Sequence, residues 1–257
     1  MASFHARYVS GDPDDVWRDL RGLGLQVFDA PYREDAEAVA REFADRARRN
    51  VETLVERLQA RGFRAEENDD EGTPCRAHVP PSPGAPALAD WLEVTFAPFP
   101  MTISAWIRQV GDVWLVGELP GWPASVLADP LVVQLEWAER GGSRSYYEAE
   151  HAAYLRDTAR RDAGIPFQLD YAPDELHKAN ISGDAPYGID LPGPGIDGKV
   201  GPSIWFVDDL NTAFAAGGFP GALWDEGYQE PPAGLREPPR VLWRPQLLTP
   251  TTSRGWG

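Results

Sequence analysis

Residues 203–221 read SIWFVDDLNTAFAAGGFPG, and the arrangement of the whole chain turns on them. Ile204, Val207, Leu210 and Phe214 recur at three- and four-residue steps, which predicts one helix from Ser203 with these residues on its buried face. Ser203, just after Pro202, is placed to cap the helix by accepting a backbone N–H. Asp208 and Asp209 fall on or near its solvent side. Gly217 and Gly218 permit the left-handed residue that ends a helix, and Pro220 prevents continuation. Upstream, the Pro/Gly punctuation of residues 172–198 frames one strand-like run at residues 187–191. The rest of the chain is expected to build a sheet against these two segments.

Working outward, residues 4–9 (FHARYV) alternate as an edge strand, and residues 12–15 supply an acidic cap for a short helix carrying Trp17, Leu20 and Leu23. Residues 25–28 suggest a second short strand. The longest predicted helix covers residues 33–61. Its apolar stripe runs through Ala36, Val39, Phe43, Ala47, Val51, Leu54 and Leu58, with acids at the N-terminal end and Arg57 and Arg61 at the other. Residues 66–84 combine a charge run with a Pro-rich stretch and read as a solvated linker. Short helices follow at 87–96 and from Thr102, which is placed as a cap. Strands are expected at 113–116, in the LVVQLEW run at 131–137, and at 167–171, with a helical stretch near Tyr154 and Leu155. Helices first, then short strands in a meander, then a closing helix make this an α+β chain, not a regular βα alternation. The expected organisation is an N-terminal helical subregion with its linker (1–85), an α+β core (86–230) and a Pro-rich tail (231–257).

Composition narrows the function. The chain of 257 residues carries 40 Asp and Glu against 24 Lys and Arg, a net charge of −16. Such a surface argues against nucleic acid or an anionic membrane as direct partner, because phosphate attracts Lys and Arg. A single cysteine, Cys75, allows no disulfide within the chain and fits a reducing cytosol. No apolar run approaches the ~20 residues of a membrane span, and no signal-peptide pattern is visible. A soluble, cytoplasmic protein is expected.

Catalytic and metal motifs are missing. Of the four histidines, His5, His78, His151 and His177, only His78 has a second ligand type nearby, in Cys75-x-x-His78, and that pair lies in a Pro-rich loop with no second pair; neither HExxH, CxxC, GxSxG nor a P-loop occurs. No cofactor and no metal are expected. The densest polar group is Asp174, Glu175, His177, Lys178 and Ser182. A hydrolase or small-molecule site could use Asp174, His177 and Ser182, yet triad members usually converge from separate elements, and turns explain these residues as well. The exposed acids point elsewhere. Asp69, Asp70 and Glu71 belong to one run. Asp208 and Asp209, with Asp225 and Glu226 beside Trp224 and Tyr228, form another. Acids next to aromatics suit a basic protein surface, since charge speeds encounter and aromatic anchors hold.

The run PFPMTISAWIRQVGDVWLVG, with Pro100, Trp106, Gly111 and the strand after it, resembles the signature of the SUKH superfamily of cell-wall-assembly-regulator-like and toxin-immunity proteins. ADPLVV, PDELHKANISGDAPYGIDLP and FVDDLNTAFAAGGFPG resemble later parts of bacterial members, so the likeness covers residues 88–221. It implies an α+β fold with a central, mostly antiparallel sheet flanked by helices, no enzymatic activity, no cofactor, and a cognate protein toxin, often a nuclease, as partner. The family supplies no catalytic set, and a regulatory scaffold or adaptor is the other role found within it. The helix at 33–61 and the Pro-rich tail lie outside the resemblance.

Overall fold

The computed structural model describes residues 3–11, 13–67, 69–123, 125–201, 204–221 and 230–236. Its α+β class agrees with the sequence. In chain order the elements are α1 (Phe4–Ser10), α2 (Pro13–Gly22), α3 (Arg33–Gln59), β1 (Arg64–Ala65), β2 (His78–Val79), α4 (Ala85–Thr95) and α5 (Met101–Gln109). Then come β3 (Asp112–Trp114), β4 (Gly117–Glu118), β5 (Val132–Val133), α6 (Arg144–Arg156), α7 (Thr158–Asp162), β6 (Phe167–Ala172) and α8 (Glu175–Lys178). β7 (Tyr187–Leu191), β8 (Lys199–Val200), β9 (Ile204–Trp205), α9 (Phe206–Ala215) and α10 (Ala233–Arg236) complete the order. The described strands fall into three sheets, β1-β4, β2-β3-β5 and β6-β7-β8-β9, and all their pairings are antiparallel.

The stretch at 203–221 is not one helix. Ile204 and Trp205 form β9, which folds back on β8 with Lys199 opposite Trp205 and Val200 opposite Ile204. The β-branched and aromatic pair favours a strand over a first helical turn. Ile204 is therefore exposed, and Phe206 joins Val207, Leu210 and Ala213 on the buried face of α9. Asp208 and Asp209 occupy the first turn, where the positive helix end favours them. Ser203 lies outside the described residues. Gly217 and Gly218, at φ of 68° and 89°, end the helix as expected.

Other differences have local causes. Residues 4–9 are helical because the Ser3 hydroxyl accepts the Ala6 N–H and Gly11 closes the end in the left-handed region. Residues Gly24–Phe28 form a 3-10 turn, not a strand. Asp12, expected as a cap, lies outside the described residues. Thr102 sits inside α5, whose cap is Pro100, and its hydroxyl donates to Asp197 (3.2 Å). The linker at 66–84 contributes β2, paired with β3. Helix α3 keeps its predicted stripe over 27 residues.

One hydrophobic core runs from Tyr8 to Leu235, and α3 packs on α5. Polar links tie α2 to the later part of the chain. The Arg21 guanidinium donates to the fully buried Asp197 (2.6 and 3.1 Å) and to Asp208 (3.0 Å twice), and it lies over the rings of Trp17 and Trp205. Residues 176 positions apart are thereby tied together.

Candidate interaction face

The acidic run is a built loop. Asp69 organises it: its carboxylate accepts the N–H groups of Glu71 (3.1 Å) and Thr73 (3.0 Å) and the Thr73 hydroxyl (2.6 Å). Those bonds, the Thr73 hydroxyl's first, hold the Asp69 carboxyl below its usual range. The Glu67 N–H donates to the Thr73 carbonyl, and the Cys75 N–H to that of Ala65, which closes the loop at its base. Asp70 accepts from the Asn180 amide (2.8 Å), tying the loop to the turn after α8. Asp69 and Asp70 are held by neutral donors, so these bonds leave their negative charge unneutralised.

On one side of the loop is an open groove of about 760 Å³. Glu66, Asp70, Glu71 and Glu118 line it together with Arg64 and Arg76, so acids outnumber bases there. A smaller cavity of about 110 Å³, which shares Cys75 and Arg76 with the groove, is lined by Trp114 and Trp137. Arg140 pairs with Glu67 and Arg76 with Glu139 along its lining. All four of those side chains are partly exposed.

Asp112 shapes this second cavity. Its buried carboxylate accepts the N–H groups of Leu135 (2.9 Å), Glu136 (2.9 Å) and Ala138 (3.1 Å). The LVVQLEW run therefore leaves the sheet after Val133, shorter than its branched residues predict. Between the bonded residues, Trp137 adopts φ of 54°, a left-handed conformation that costs a bulky residue about 1–3 kcal/mol. Its ring packs on Tyr146, centroids 4.7 Å apart, while the Trp114 indole donates to the Glu66 carbonyl (2.8 Å). Burial pushes the Asp112 carboxyl above its usual range, against the opposing pull of the three N–H groups.

The other expected partner residues are placed less freely. Asp208 is committed to Arg21, although its side chain stays 52% exposed. Asp209 accepts the Tyr171 hydroxyl (3.3 Å). Trp224, Asp225, Glu226 and Tyr228 lie outside the described residues. Trp114, Trp137 and Glu139 are not among the residues that the sequence singles out. The signal available was the tripeptide-scale neighbourhood of Trp137 and Glu139, the same aromatic–acid pairing sought further along the chain.

Asp174 and His177 do meet: His177 Nδ1 lies 2.6 Å from the Asp174 carboxylate. The same carboxylate caps α8 by accepting the Leu176 and His177 N–H groups (2.8 and 3.0 Å). Burial alone would raise the Asp174 carboxyl, but these bonds outweigh it and hold it low. Ser182 is exposed. Next to this turn, Lys178 is buried in an ion pair with Asp129 (2.6 Å), its ammonium over the Tyr187 ring. Among the described residues no group of His, Cys, Asp and Glu could hold a metal ion, and no helix is long and apolar enough to cross a membrane. Comparison with family models, curated proteins and solved structures finds no match to this chain.

Proposed function

We propose that this chain is a non-enzymatic, immunity-type protein that works in the cytoplasm by binding and neutralising a cognate toxin with a basic surface. The observation that carries the proposal is the charge excess: if every Lys and Arg were paired internally, 16 carboxylates would still lack a cation. Internal ion pairs are electrically neutral, so the field that steers a basic partner survives them. A nuclease fits best as the toxin, because its active face must attract phosphate. The resemblance of residues 88–221 to SUKH proteins supports the same reading.

Co-expression tests it. A toxin encoded beside this protein should kill cells lacking it and spare cells producing it. Equal killing in both would sink the proposal.

A second reading, a hydrolase or small-molecule site, is favoured by the Asp174–His177 pair alone. Besides the His177 ring, that carboxylate accepts two backbone N–H groups as a helix cap, and neither cavity beside the acidic loop is lined by Asp174, His177 or Ser182. The cap explains the pair more simply.

A further inference from the structure

We propose that the cavity lined by Trp114 and Trp137 receives the head of one basic side chain, an arginine or a lysine, from the protein partner. This rests on the binding function proposed above and names how the partner is gripped. Trp114 and Trp137 both line the cavity, and the indole is the strongest aromatic partner for a cation. At about 110 Å³ the space far exceeds the ~10–15 Å³ that one water requires. A planar guanidinium or an ammonium with its last methylene can enter.

The electrostatics select a cation. The lining carries the carboxylates of Glu67, Asp112 and Glu139 against the guanidinium groups of Arg76 and Arg140, an excess of one negative charge. Asp112 is 5% exposed, and among the described residues no Lys or Arg forms an ion pair with it. An anion entering here would meet that buried charge, whereas a cation would offset it. The rim pairs do not bar entry. Arg76 and Arg140 are 63% and 50% exposed, and ion pairs so open to water hold weakly. An incoming guanidinium can exchange for either of them on Glu139 or Glu67.

The probe is methylguanidinium chloride, titrated into the full chain against sodium chloride at matched ionic strength. The indole N–H resonances are followed by NMR. Saturable shifts at Trp114 and Trp137 under methylguanidinium alone are expected, and Glu139→Gln should weaken the titration several-fold. Trp137→Gly removes the ring while suiting the left-handed backbone, and it should abolish saturation. Should that variant fail to fold, Glu139→Gln carries the test, and an unchanged midpoint overturns the proposal. Identical shifts in both salts also overturn it. An arginine-rich peptide separates the two levels of failure. Salt-sensitive peptide binding without indole shifts refutes the cavity alone, and no binding of either probe counts against the partner reading as well.

Discussion

Asp112 and Trp137 form one device: the carboxylate of the first fixes the backbone on both sides of the second. Three N–H groups, from Leu135, Glu136 and Ala138, converge on Asp112, and Trp137 is left at φ of 54° in the lining of the cavity. Asp112→Ala leaves several buried donors without an acceptor. A loss of about 3 kcal/mol in unfolding free energy is expected, together with a changed near-UV signal from Trp137. Denaturant titration checks this. A loss under about 1 kcal/mol would show that the turn is held by other means.

Arg21 and Asp197 are the second long-range link. Burial pushes the Asp197 carboxyl up to about 6, while Arg21 pulls the other way. A folded pKa above the unfolded value of about 3.9 means that the native state keeps a proton the unfolded chain has lost. Stability contributed at this site is therefore greatest at low pH and falls as pH rises from about 4 to 6. Measured relative to Asp197→Asn, wild-type stability should drop by about 2–3 kcal/mol across that window. A flat difference would mean that Arg21 compensates the buried charge fully.

Removing the cation gives the complementary result. Arg21→Ala takes away the ion-pair partner of a fully buried carboxylate and two ring contacts. At neutral pH it should destabilise by about 3–5 kcal/mol. The same substitution in an Asp197→Asn background should cost much less, and additive losses in this double-mutant cycle would contradict the pairing.

Lys178 offers a test of a buried ion pair. It is 4% exposed and its ammonium reaches Asp129 at 2.6 Å. Lys178→Ala removes the cation and leaves space behind it, with about 3–5 kcal/mol expected. Thermal unfolding reads it. Asp174→Ala, by contrast, removes the cap of a four-residue helix and the contact to the His177 ring, and should cost about 1–2 kcal/mol.

Local patterns were legible and non-local ones were not. The stripe of α3 and the bounds of β7 could be read because each is set by its own residues. The strand at 131–137 was overestimated because a carboxylate 23 residues upstream captures the Leu135 N–H. The closing helix was read two to three residues too early because Ile204 and Trp205 pair with β8, a contact no helical period reveals. Within the site, the acidic loop was legible from its composition. Its neutral donors Thr73 and Asn180, and the cavity beside it, depend on how distant segments meet.

The most direct measurement of the proposed function is the association rate between the purified chain and a basic toxin encoded beside it, recorded across a series of salt concentrations. Steering by the excess carboxylates calls for a rate that falls steeply as the Debye length shrinks from about 10 Å at 0.1 M salt. Absence of binding, or a rate indifferent to salt, would contradict it.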